Sequence, residues 1–209
     1  FIAVHLFVFM PMLFRFGYRW DEVLDFTGAA TDTYVGSGRW MQAVLRYVLG
    51  EGVHPWSSSF LACALLSAAS VMQCRIFKWG SFFRDVAYGV MMLAIYQYAF
   101  VMQYAHQSDT IAIGILMLTL ALQLLIRKGW TRDTAAAALI VGLAISIYQS
   151  LGLYMVGLLL VWGMLECARG DSKYAFKVAC KSAAVIAFAL LLWKCGKVAS
   201  LEFIGEETQ

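Results

Sequence analysis

The chain alternates long apolar runs with short polar interruptions, and this pattern predicts helices buried in lipid. Apolar stretches cover residues 1–14, Ser57–Arg75, Val86–Tyr104, Thr110–Ile126, Thr134–Tyr148, Leu151–Glu166 and Val178–Trp193. None shows the two-residue alternation of a half-buried strand, so each reads as a helix. In a bilayer only helices and closed barrels satisfy their own backbone hydrogen bonds, and unbroken runs favour helices. The expected fold is all-α, a polytopic transmembrane helix bundle of about seven spans. It is expected to form one transmembrane domain over residues 1–209. The fifth and sixth spans are short and separated only by Gln149 and Ser150, which predicts a tight hairpin. Residues 1–14 fall short of the roughly 20 needed to span. The chain begins with Phe1, so it reads as an internal piece of a longer protein.

Residues 15–56 form the one long polar interval, the expected first extracytoplasmic loop. Within it, a helical pattern opens at Arg39 and runs to about residue 49, with Trp40, Val44, Tyr47 and Val48 on one side. Gln42 and Arg46 lie elsewhere on its circumference, and Arg39 and Arg46 flank an aromatic face. Such a helix is expected to lie in the membrane interface, apolar side toward acyl chains and cations toward headgroups.

Composition supports the membrane reading. Of 209 residues, 62% are hydrophobic and only 14% charged, against about 25% charged in a soluble domain. Mean hydropathy is +0.72. Charge placement sets the expected orientation. Lys and Arg gather after the second span (Arg75, Lys78, Arg84), after the fourth (Arg127, Lys128, Arg132) and after the sixth (Arg169, Lys173, Lys177, Lys181). These alternate loops are the expected cytoplasmic ones. In residues 15–56, Arg15, Arg19, Arg39 and Arg46 are offset by Asp21, Glu22, Asp25, Asp32 and Glu51, so that loop is expected outside. The net charge of +3 reflects this bias and gives no reason to invoke nucleic acid. Five scattered cysteines form no CxxC pair and share no ligand spacing with His5, His54 and His106. Neither a disulfide framework nor a metal site is expected, and no cofactor.

Candidate chemistry collects on the expected outer side. Asp21 and Glu22 stand a few residues beyond the first span. The third span ends in Gln103, Tyr104, Ala105, His106, Gln107, Ser108 and Asp109, and the fifth in Ser146, Ile147, Tyr148, Gln149 and Ser150. Each cluster has an ordinary reading beside the functional one. The carboxylates serve equally as solvated loop charges, Asp109 as a helix N-cap, and the tyrosines and amides as interfacial anchors. Their coincidence on one membrane face favours a site, because polar groups near lipid are costly.

The order of these features resembles the O-antigen-modifying glucosyltransferases of the glucosyl transferase GtrII type. The residues that carry the resemblance are Trp20-Asp21-Glu22, Gly38-Arg39-Trp40, Gln107-Ser108-Asp109 and Ile147-Tyr148-Gln149-Ser150. Family members are similar to the GT-C class, polytopic enzymes with catalytic carboxylates in the first outer loop. The resemblance implies a polyprenyl-phosphate-linked sugar donor, glucose as the sugar, and a polysaccharide or glycolipid acceptor such as O-antigen. It implies a bacterial cytoplasmic (inner) membrane location with the site facing the periplasm or exterior, in contact with membrane lipid. Asp21 and Glu22 match the family's acidic pair, although two aspartates are frequent where this chain has Asp-Glu. A carboxylate just above the headgroup plane would take the acceptor's proton, and Arg39 would hold the donor phosphate. Trp40, Gln103, His106, Gln107, Asp109, Tyr148 and Gln149 are the candidate substrate contacts. The competing reading is a transporter or flippase component for a lipid-linked sugar, which would place polar residues near the midplane on broken helices. A purely structural membrane subunit is the third reading.

Overall fold

The structure is a computed structural model that describes residues 2–3, 34–49, 55–78, 80–94, 107–127 and 132–207. Most of the first span and of the first loop, His54, and residues 95–106 at and after the end of the third span lie outside that description. Among the described residues every regular element is a helix: α1 (Trp40–Leu49), α2 (Pro55–Phe77), α3 (Phe82–Ala94), α4 (Ser108–Leu125), α5 (Arg132–Ile147), α6 (Ser150–Ala168) and α7 (Ser172–Glu207). Four segments are long and apolar enough to cross a membrane: Ser57–Phe77, Ser108–Leu125, Ser150–Ala168 and Ser172–Glu202. That is what a membrane protein requires. The 16-residue α5 is shorter than these, about 24 Å. The described residues fall into two compact units, one within 45–116 and the other within 32–44 and 117–209, with α1 and α4 running from one into the other.

In the first unit, α2 starts on Pro55, whose fixed φ and missing N–H suit the first helical position. Its 23 residues reach about 35 Å, enough for a hydrocarbon core of about 30 Å. Ala62, Leu66, Ala69, Gln73 and Phe77 make its buried stripe at three- and four-residue spacing. Lys78 then takes the left-handed conformation (φ 51°) and Gly80 follows at φ 67°, which turns the chain into α3. Tyr88 of α3 donates its hydroxyl to Gln73 Oε1 at 2.6 Å and meets the Phe77 ring edge-on, with centroids 5.6 Å apart.

In the second unit, the alanine-rich α5 is buried mainly from Ala137 to Ile147 and packs on α7. Contact is close at Gly142, where a Cβ would come within 3.2 Å of Leu192 and 3.4 Å of the Ala189 carbonyl. Small residues at a crossing let helix backbones approach, a common device in membranes. The buried stripe of α7 is Ala175, Val178, Ser182, Val185 and Ala189. On α6 the buried stripe is Leu151, Met155, Leu158, Trp162 and Glu166, while Leu153, Leu160 and Met164 on the other faces are exposed. Apolar side chains on both faces suit a helix with protein on one side and lipid on the other.

The second unit has two polar ends. At one, Tyr148 and Gln149 alone link α5 to α6, as the hairpin spacing predicts, with Leu151 N–H donating to the Tyr148 carbonyl at 3.0 Å. At the other, α6 ends in a Schellman turn. Gly170 (φ 89°) donates to the Cys167 carbonyl, and Asp171 N–H to the Glu166 carbonyl, both at 3.0 Å. Glu166 is buried and accepts from Arg169 at 2.6 Å. Tyr174 donates to the Ile126 carbonyl, and Trp162 stacks edge-on against Tyr174. This end carries Arg127, Arg132, Arg169, Lys173 and Lys177. Lys181, grouped in the sequence with the cations that follow the sixth span, is buried, its Nζ 3.3 Å from the Leu125 carbonyl.

Candidate functional site

The residues ahead of α1 make a short helical turn that closes on Gly38. Arg39 N–H donates to the Tyr34 carbonyl at 2.7 Å, and Gly38 N–H to the Val35 carbonyl at 2.9 Å. This is again the Schellman pattern, and it places Gly38 at φ 81°, a conformation in which any Cβ is strained. Space is tight there too. A Cβ would lie 3.1 Å from the Trp193 ring, 3.3 Å from Gln149 Nε2 and 3.3 Å from Lys197 Cδ.

Three segments far apart in sequence therefore converge on this turn. Gln149 Nε2 donates to the Ser37 carbonyl at 2.6 Å, and Trp193 Nε1 to the Gly38 carbonyl at 2.8 Å. Both carbonyls take side-chain donors. Gly196 of α7 gives room for the Trp40 indole, since a Cβ there would fall 2.6 Å from Trp40 Nε1. The Arg39 guanidinium sits 4.4 Å from the centroid of the Tyr148 ring, a cation–π contact. Stacking holds the plane of the guanidinium, and a guanidinium so held is suited to pair with an oxyanion through its N–H edge. Of the residues predicted from sequence, Arg39, Trp40, Tyr148 and Gln149 thus come together around one turn.

Gln107 and Asp109 belong to a different arrangement, in the first unit. Arg46 of α1 forms a salt bridge with Asp109 in the first turn of α4, and both side chains are buried. The same Asp109 oxygen accepts the Thr110 N–H at 2.7 Å, and Thr110 Oγ1 donates to the Gln107 carbonyl at 2.9 Å. Asp109 is therefore the partner of a buried cation. Arg46 does not reach toward headgroups, as the interfacial reading of α1 expects. The polar face of α1 is turned inward because a buried carboxylate meets it there, and Gln42 on that face has no exposure at all. The apolar face is the open one: Val44 is 46%, Tyr47 79% and Val48 71% exposed.

Asp21, Glu22, Gln103 and His106 lie outside the described residues. Sequence reading missed Trp193, Gly196 and Lys197. The signal was there in Trp193-Lys194-Cys195-Gly196-Lys197, which puts two lysines just past the end of the last apolar run, opposite the basic turns. Cations at that end break the charge alternation followed by the loops.

The family model for glucosyl transferase GtrII matches residues 10–196. The chain belongs to that family. The match takes in the whole Gly38 turn, the α5–α6 link and α7 as far as Gly196, so the convergence described above is a feature of the GtrII region itself. Membership supports glycosyltransferase activity, with a sugar donor and an acceptor as substrates. No curated protein and no solved structure matches the chain.

Proposed function

We propose that this GtrII chain is the donor-handling part of a GT-C-like glucosyltransferase in the bacterial cytoplasmic membrane. It moves glucose from polyprenyl-phosphate glucose to a surface polysaccharide such as O-antigen, on the outer face. The observation that carries this reading is Arg39, stacked on Tyr148 and fixed to a turn that Gln149 and Trp193 clamp. Orientation is supported by the basic residues at the opposite end of the same unit, where Arg127, Arg132, Arg169, Lys173 and Lys177 mark the cytoplasmic side. The Arg39 end then faces outward, at the level where a lipid-anchored phosphate would sit.

The acceptor hydroxyl attacks the anomeric carbon of the glucose. Asp21 takes its proton, with Glu22 orienting the acceptor, and the bond from that carbon to the phosphate oxygen breaks. Polyprenyl phosphate leaves carrying the electron pair, and Arg39 offsets the charge that builds on it. Tyr148 and Gln149 border the Arg39 position, and Trp40, Gln103 and His106 remain proposed sugar contacts. Asp109 and Gln107 fit a supporting role better, because the Asp109 carboxylate already serves Arg46. Membership in a glucosyl transferase family favours transfer over transport of the lipid-linked sugar.

Arg39→Lys keeps the charge and loses the planar fork, so it separates phosphate recognition from general attraction. Glucose transfer from the lipid donor should fall roughly 10- to 100-fold, the worth of one or two charge-assisted hydrogen bonds. Undiminished transfer by Arg39→Lys, with Arg39→Ala equally active, would remove Arg39 from the donor site.

A further inference from the structure

Among the described residues, six buried side-chain nitrogen or oxygen atoms lack a hydrogen-bond partner: Arg39 Nε, Trp40 Nε1, both amide atoms of Gln42, Arg46 Nε and Ser70 Oγ. Four of the six belong to Arg39, Trp40 and Gln42, at the start of α1 and within a single unit. Buried polar groups are nearly always paired, and leaving one unpaired is costly. A cluster of them beside a proposed substrate position points to a ligand that completes the hydrogen bonding.

The chemistry of the four atoms narrows what that ligand is. Arg39 Nε and Trp40 Nε1 donate only, so a phosphate oxygen satisfies either. Gln42 is different, because its Nε2 needs an acceptor and its Oε1 needs a donor. The phosphodiester anion of a glucosyl polyprenyl phosphate carries no P–OH, so it offers only acceptors and cannot serve Oε1. A sugar hydroxyl gives and accepts at once. Gln42 also lies three residues beyond Arg39, hence on the same face of α1 and one turn further along.

We infer that Gln42 reads the hydroxyl groups of the transferred hexose, one turn beyond the Arg39 position that holds its phosphate. The inference rests on the donor reading proposed above and adds a specificity-determining residue to it. Gln42 is fully buried, so a sugar bound there is shielded from bulk water and the hydrogen bonds discriminate strongly. A site built to bond a substrate hydroxyl rejects an analogue lacking it far better than an apolar pocket rejects a methylene. Gln42 therefore separates hexoses that differ at the hydroxyl it meets.

The test uses the full-length protein in lipid nanodiscs with two probes, glucosyl polyprenyl phosphate and bare polyprenyl phosphate. Wild-type protein should bind the glucosylated lipid more tightly. Gln42→Leu, close in shape and wholly apolar, should lose roughly tenfold or more of that preference, while binding of the bare lipid phosphate changes little. Thermal stability without either lipid should stay level or rise, since an unpaired buried amide has been replaced by a hydrocarbon. Gln42→Asn keeps the amide but withdraws it by one methylene, and should also lose preference, giving a second variant if Gln42→Leu does not fold. Lower stability of Gln42→Leu with an intact preference would give the amide a structural partner and overturn the inference. Unchanged stability with an intact preference would assign the amide to a buried water and overturn it equally. Wild-type protein without any preference would bring down the donor reading itself, and this inference with it.

Discussion

Arg46 and Asp109 show how much a single pairing decides. Taking both charges out of water is costly, and only their mutual attraction and further hydrogen bonds offset it. Removing one partner strands the other: Arg46→Met should destabilise the protein by about 3–5 kcal/mol, read as unfolding of the detergent-solubilised chain in denaturant. The double variant Arg46→Met with Asp109→Leu should recover most of that loss, because two apolar side chains of similar volume carry no desolvation cost. Additive losses in the double variant would show that the two residues do not depend on each other. This pairing could not be read from sequence, since 63 positions separate the partners and Asp109 has a sufficient local explanation as a helix cap. The Gly38-Arg39-Trp40 motif was legible, because a glycine beside a cation and an indole is hard to account for as lipid anchoring alone. Its clamp was not: Trp193 and Lys197 look like ordinary residues at the end of an apolar run.

At the scale of elements, periodicity fixes which residues share a face and leaves open which face is turned inward. The α1 helix illustrates both halves of that statement. Its existence and approximate extent follow from the 3.6-residue pattern, whereas its inward side is decided by Asp109 and by the burial of Gln42. With the polar face occupied, Val44, Tyr47 and Val48 form an exposed apolar strip, and we place this strip against the acyl chains of the outer interface. Spin labels at positions 44, 47 and 48 should report high accessibility to lipid-soluble oxygen, and a label at 43 markedly less. Equal, water-like accessibility at all four would make α1 a helix of the aqueous surface. The long helices were legible because a bilayer demands about 20 apolar residues and nothing else in proteins does. The reach of α7 was not. Apolarity ends near Trp193, yet the helix continues through Lys194, Lys197 and Glu202 to Glu207, a length of about 54 Å. A helix outside the hydrocarbon layer needs only good helix formers, so hydropathy cannot mark its end.

At the scale of the whole molecule, the chain divides the labour between its two ends. Helices α4 to α7 supply apolar surface and hold the α5–α6 link at one end, while the basic turns stay at the other. The Gly38 turn docks on the link and on α7, and presents Arg39. The carboxylates at Asp21 and Glu22 complete the proposed chemistry from the preceding loop. The most direct measurement is transfer of radiolabelled glucose from polyprenyl-phosphate glucose to extracted surface polysaccharide, using membranes that hold the full-length protein. Wild-type membranes should label the polysaccharide. Asp21→Asn, which keeps shape and removes the proton-accepting charge, should slow transfer about 100- to 10,000-fold at normal abundance. Near-normal transfer by Asp21→Asn, or none by the wild type with this donor, would contradict the account.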